Sequence, residues 1–458
     1  MIEAIAYLAA LLGYIALLFV LIRSRFPTIS PVTFFVSIYF LQYGPHTLIR
    51  PWRDLSANVS DTIELRYILA ITLVNVILAL TILAIRSLMP QLLNRRIDTG
   101  DLRHLLIRDT RTATAILAVG FMICGLFYLV ELMGPPRLAT ILGYFAGNTN
   151  FTYEEIRREL FAGTPIEILM NYSRQTISIC LVLASVFIFY RFRQLRLIAT
   201  LSIIATFIFT MIQMNKFPLI YTILCIIIMA FIVYKGRLSL SSKEYFFLPL
   251  VILAIPTLLL SLYLIQYRSA IDEGYVEVAD LYKLVFYRGT FAQADALRLW
   301  FNEFPDRTQF LGVANLGTFA SVLGQETFEV TSFIPQTYFR AETTYQAGFI
   351  GSGYASFGWY GIVAFAVIGG AIATLSTILI NRIYFADIRA ILTVALSMNM
   401  YFFNSREFST ALLSGGIMPL FLVVVTVVLS VSPAKDANRP RSGRRQAASR
   451  RKLILIRR

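Results

Sequence analysis

The chain has 458 residues, 57% hydrophobic and 15% charged, with a formal charge of +15 and a mean hydropathy of +0.69. A soluble domain carries roughly 25% charged residues, so this composition excludes a soluble globular enzyme, a disordered chain and a secreted disulfide scaffold. The pI of 9.8 leaves a nucleic-acid binder open until the positive charges are placed along the chain.

A helix crosses the hydrocarbon core with about 20 apolar residues, and its backbone groups are all paired within the segment. Eleven such runs occur, at 2–22, 31–49, 65–85, 112–133, 168–190, 197–213, 218–234, 245–265, 359–380, 388–404 and 412–432. They predict an all-α polytopic integral membrane protein of about 11 transmembrane helices. Asn399 and Asn404 interrupt the tenth run. The first run has Glu3 where a signal peptide has basic residues, and Arg23 and Arg25 follow it. It reads as a retained span with the N-terminus outside.

Alternation from there places Arg86 to Arg111, Arg191 to Arg196, Lys235 to Lys243, Arg382 to Arg389 and the C-terminal tail inside. The inside then holds 26 basic and 6 acidic residues, and the outside 15 basic and 20 acidic. The basic pI is thus a topology signal, and nucleic acid is not an expected partner. The tail from Lys435 to Arg458 suits attraction to anionic lipid headgroups. Residues 1–265 therefore form the first eight spans with a smaller external loop at 134–166. The large external loop takes 266–358, three spans take 359–432, and the basic inner tail takes 433–458.

Cys124, Cys180 and Cys225 lie within spans at no motif spacing and read as small buried side chains. There is no Cys/His cluster, P-loop or dinucleotide fingerprint. His46 and His104 fall on opposite sides, which removes a paired-histidine metal centre. No metal and no cofactor is expected.

The loop from Gln266 to Gly358 is 93 residues long, and loops beyond about 15 residues are usually functional. Val278 to Tyr287 predicts one helix, stopped by Gly289. Leu297, Trp300, Phe301 and Phe304 predict another, ended by Pro305, whose aromatic face packs the loop onto the membrane domain. The loop carries 19 aromatics, which suit either sugar stacking or an interfacial belt.

Positive charge is disfavoured outside, so the external basic residues Arg50, Arg53, Arg174, Lys216, Arg268, Arg288 and Arg340 need partners or a task. Singly, they suit pairing with Asp272, Glu273 or Glu277. As a group they suit an anionic ligand at headgroup level, since guanidinium matches phosphate bidentately. A lipid pyrophosphate fits. No Asp-x-Asp pair occurs in the external loops, so an arginine clamp is favoured over a metal clamp.

The stretch from Pro335 to Gly361 carries Gly348, Gly351, Gly353, Gly358 and Gly361. That density allows sharp turns and close approach, and close packing of a re-entrant segment explains it equally well. The run Gly348-Phe-Ile-Gly-Ser-Gly-Tyr-Ala-Ser-Phe-Gly-Trp-Tyr-Gly361, followed by a glycine-rich apolar span, resembles the end of the large external loop in Wzy-type O-antigen or oligosaccharide repeat-unit polymerases. The layout, with one dominant late external loop, is similar too. Met214-Asn-Lys-Phe-Pro-Leu219 falls where such proteins carry a basic residue in a tight turn, with Lys216 in place of the more usual arginine.

The resemblance implies a membrane-embedded, lipid-sugar-dependent glycosyltransferase in a bacterial inner membrane, with a periplasmic N-terminus and a cytoplasmic C-terminus. The growing glycan would leave its undecaprenyl pyrophosphate and join the next lipid-linked repeat unit, with a chain-length regulator as a further partner. Arg268, Arg288 and Arg340 would hold the pyrophosphate, with Lys216 and Arg174 as additional candidates. Without a suitable histidine the base would be a carboxylate, Glu342 first, then Glu273 and Asp272. Pairing with Arg340 is the alternative role for Glu342. Tyr345 and Tyr354 are candidate sugar contacts.

Two other functions compete. An O-antigen ligase shares the layout but typically relies on a histidine in its large external loop, and Gln266 to Gly358 contains none. A lipid-linked-sugar transporter would show internal repeats and midplane charges, neither of which the sequence displays.

Overall fold

The computed structural model describes residues 2–49, 60–89, 105–132, 176–211, 216–236, 238, parts of 257–272, 274–340 and 345–430. Among these residues the chain is all-helical, with no strand. Among the described residues, seven α-helices precede the loop: α1 (Ile2–Ser24), α2 (Pro31–Ile49), α3 (Asp61–Leu88), α4 (Thr110–Leu132), α5 (Ile177–Arg191), α6 (Arg196–Met211) and α7 (Lys216–Lys235). The loop contributes α8 (Arg268–Asp272), α9 (Val278–Thr290), α10 (Ala292–Glu303), α11 (Thr318–Val322) and α12 (Val330–Phe339). The chain then continues through α13 (Gly348–Ile380), α14 (Ala386–Ser405), α15 (Phe408–Leu412) and α16 (Ile417–Ser430).

Helices occupy the described parts of every predicted run; of 245–265 only 257, 259–261, 263 and 264 are described, and they are helical. Among the described residues four stretches, Ala4–Ser24, Asp61–Leu88, Gly348–Ile380 and Phe408–Ser430, are long and apolar enough to cross a membrane. Thr110–Leu126, Ile177–Arg191 and Ile220–Lys235 are shorter apolar helices. The protein is membrane-embedded, and α1 shows why physically. Its outer face exposes Ile5, Leu8, Leu12, Ile15, Phe19 and Ile22, a stripe that is stable only against lipid. Its inner face is lined by Ala6, Ala10 and Gly13, and these small residues let α1 approach α3 closely. Asn75 of α3 donates its side-chain amide to the Ala10 carbonyl at 3.3 Å.

The centre of the bundle is α13, which packs on α2, α3 and α14. Phe35, Tyr39 and Tyr43 of α2 meet Phe349 and Phe403 there in a buried aromatic core. At one end of the bundle α9 lies on α2, and α10 on α2, α3 and α13. Trp300, Phe301 and Phe304 are fully buried, so the aromatic face of α10 does fasten the loop to the bundle.

The glycine-rich stretch is helical, and α13 begins at Gly348, ahead of the span predicted at 359–380. The helix breaks at Phe357 and Gly358, where Gly358 takes φ 62° and ψ −141°. Only glycine occupies that region readily. Across the break Gly353 and Gly361 approach so closely that a Cβ on either would strike the other's backbone. Gly353 and Gly361 therefore permit a doubled-back packing that a side chain would block. Gly358→Ala is expected to cost about 1–3 kcal/mol, and its Cβ would also press on Phe310 at 3.0 Å. Thermal unfolding in detergent measures the loss, and an unchanged midpoint would contradict it.

Candidate functional site

Beneath α9 and α10, four ionisable side chains from distant parts of the chain converge. The last turn of α2 supplies His46, the first turn of α3 supplies Glu64, and α10 supplies Asp295 and Arg298. His46 and Glu64 are each 1% exposed, Arg298 is 2% exposed and Asp295 is 26% exposed. Arg298 lies one position from Leu297 on the face that docks onto the bundle, which is why so large a cation is buried.

Arg298 bridges the two carboxylates, with Nε 2.8 Å from Glu64 Oε2 and Nη1 3.1 Å from Asp295 Oδ1. Glu64 Oε1 accepts the Tyr7 hydroxyl at 2.7 Å and lies 3.3 Å from His46 Nε2. Paired with Arg298, the Glu64 carboxylate only accepts hydrogen bonds, so the imidazole proton resides on Nε2. In the neutral ring that leaves the lone pair on His46 Nδ1. It has no hydrogen-bond partner and faces Asp295 Oδ1 at 4.0 Å. Tyr67 meets the imidazole edge-on at 5.0 Å and fixes its plane. A basic nitrogen, its orienting carboxylate and a second, partly open carboxylate are the parts of an acid–base site.

A hydrogen-bonded path leads from this cluster towards the surface. The Tyr287 hydroxyl donates to Asp295 Oδ2 at 2.8 Å and lies 3.3 Å from the Tyr345 hydroxyl. Burial, with Asp295 and Tyr345 adding to it, pushes the Tyr287 pKa well above the usual phenol range, so it remains a donor. The Tyr345 ring packs on Phe339 at 5.6 Å, and Phe339 is exposed.

No family model, curated protein or solved structure matches the chain. Its chemistry has to be read from these side chains alone. Among the described residues no three His, Cys, Asp or Glu side chains group as metal ligands. Within the cluster, Arg298 already supplies the cation between the carboxylates.

None of the residues expected from sequence is one of the four in this cluster. Glu342, Arg174, Glu273, Arg50, Arg53 and His104 lie outside the described residues. Lys216 opens α7. Arg268 is exposed and sits 3.8 Å from exposed Asp272, a surface pair of small energetic worth. Arg288 is exposed, donating to the Tyr263 hydroxyl at 2.6 Å with its guanidinium 5.6 Å from the ring centre. Tyr263 stacks on Tyr267 at 6.0 Å, and Arg268 follows Tyr267 in the chain. Arg340 is exposed at the end of α12, in left-handed backbone with φ 51°. Tyr345 joins the path from the cluster. Tyr354 is buried among Phe301, Phe310 and Trp359 and belongs to the packing of the loop.

The opposite placement of His46 and His104 argues only against a paired-histidine metal centre, whereas a base requires only a carboxylate to orient it. A usable signal was present: His46 lies inside an apolar run and Glu64 borders the next. Ionisable groups in such positions mark functional sites by default.

Proposed function

We propose that the protein is a glycosyltransferase of the repeat-unit polymerase kind. It would join undecaprenyl-pyrophosphate-linked oligosaccharides at the periplasmic face of a bacterial inner membrane. The observation that carries this reading is the bare Nδ1 of His46, oriented by Glu64 at 3.3 Å, at the end of an apolar bundle covered by aromatic loop helices. Such a nitrogen takes the proton from an acceptor sugar hydroxyl. The hydroxyl oxygen then bonds to the anomeric carbon of the donor, and the bond from that carbon to the lipid pyrophosphate breaks, the pyrophosphate leaving with the electron pair. The exposed guanidiniums of Arg268, Arg288 and Arg340 would bind that leaving group, and fixed positive charge there stabilises the developing anion. Tyr287 and Tyr345, on the path to Asp295, would contact the acceptor sugar.

The ligase reading gains from the same residue. The loop contains no histidine, yet His46 lies against the loop's Asp295, so the absence of a loop histidine no longer separates the two enzymes. The acceptor does. Purified protein supplied with lipid-linked repeat units alone is expected to yield a ladder of elongated lipid-linked products. No elongation without a different glycan acceptor would overturn the polymerase reading in favour of the ligase. In cells lacking their own polymerase, single replacement of Arg268, Arg288, Arg340 and Glu342 is expected to shorten the ladder. Normal ladders from all four would remove these residues from the site.

A further inference from the structure

Helix α9 carries apolar residues on two faces and, among the described residues, only one of the two is covered. Leu281 and Val285 pack on Leu260 and Tyr263 in a small buried cluster. On the other side Val278, Tyr282 and Phe286 recur at intervals of four and so share one face of the helix. Tyr282 is 60% and Phe286 61% exposed, and Tyr275, just ahead of the helix, is 80% exposed. A contiguous apolar patch of this kind marks a contact surface, where scattered single residues do not.

The path of the chain shows what lies against the open face. The described residues between 257 and 264 are helical and close the apolar run at 245–265. Backbone bonds carry that helix onward: the Tyr267 N–H donates to the Tyr263 carbonyl and the Ile271 N–H to the Tyr267 carbonyl, each at 2.9 Å. Gly274, with φ 77°, then turns the chain, and its N–H returns to the Ile271 carbonyl at 3.0 Å. From this turn α9 folds back until Leu281 and Val285 reach Leu260 and Tyr263. Leu260 is five residues inside the end of the run, about 7 Å along a helix axis. An amphipathic helix at a membrane surface buries its apolar face about 5–10 Å into the boundary between headgroups and acyl chains. The two depths agree, so α9 stands at the level of the lipid boundary.

The side chains suit that level. Tyrosine joins an apolar ring to a polar tip, the combination enriched where lipid meets water. The charges nearby cancel in pairs: Lys283 lies 2.8 Å from Asp280 and Arg268 3.8 Å from Asp272. Glu277 and Arg288 add one charge of each sign. Little net charge is left to attract anionic headgroups. We infer that α9 is an interfacial helix, which lays Tyr275, Val278, Tyr282 and Phe286 into the lipid leaflet on the side of the loop and is held there by apolar burial rather than by charge. Tyr287 and Arg288 belong to the same helix, so its depth fixes their height above the lipid tails. The anchoring is independent of the reaction proposed above.

Full chains carrying Tyr282→Trp or Asp280→Trp, reconstituted in phosphatidylcholine vesicles, test this. Asp280 is exposed on the opposite side of α9, so both variants leave the packed face intact. The three native tryptophans give the same background in each. With lipid brominated in the upper acyl chain, the added indole of Tyr282→Trp is expected to dim at least ~2-fold, and that of Asp280→Trp to change little. Replacing roughly a third of the lipid by phosphatidylglycerol should leave this quenching unchanged. Unquenched emission from Tyr282→Trp would overturn the inference, whether the indole emits as in water or as if covered by a second copy of the chain. Equal quenching in both variants, or quenching that rises with phosphatidylglycerol, would overturn it as well.

Discussion

His46→Gln is expected to slow glycosyl transfer by roughly two to four orders of magnitude, the usual worth of a positioned general base. Glutamine places an amide N–H where imidazole Nε2 stands and so can still donate to Glu64. What it lacks is a basic nitrogen facing Asp295. A loss of rate with unchanged thermal stability therefore separates catalysis from packing. Elongation of lipid-linked repeat units by the purified protein measures the rate. Activity within about threefold of the unsubstituted chain would remove His46 from the reaction.

Arg298→Met should have the largest effect on stability, a loss of roughly 3–5 kcal/mol. Its partner Glu64 is 1% exposed. Removing the guanidinium strands a carboxylate where water cannot reach it, beside the Tyr7 hydroxyl and the His46 N–H. Asp295, at 26% exposure, loses less because solvent replaces part of the contact. Combining Arg298→Met with Glu64→Gln should recover most of the loss, because replacing both members of a buried pair is far cheaper than removing one. Thermal unfolding of the single and double variants in detergent provides the comparison. A single variant within about 1 kcal/mol of the unsubstituted chain would place the pair in a solvated setting.

The loop aromatics show how far local pattern carries. Trp300, Phe301 and Phe304 repeat at helical spacing, and that spacing foretold both α10 and its packing onto the bundle. Asp295 and Arg298 lie on the same short helix, yet nothing local indicated that a charged pair would share its buried face. The two carboxylates that Arg298 meets are 3 and 234 positions away in the chain. Gly358 is a similar case: its type announced a backbone exception, but only the structure shows a break in a helix instead of the end of a loop.

What the sequence determined by itself is the solvent. Apolar runs of membrane length, charges swept to their ends and an uneven distribution of basic residues follow from the cost of burying charge in hydrocarbon, a property of each segment alone. Those features specified a helical membrane protein. Tertiary structure decided which ionisable residues work together. A buried charge is tolerated only where partners converge in space, and His46, Glu64, Asp295 and Arg298 become partners when α10 docks across the ends of α2 and α3.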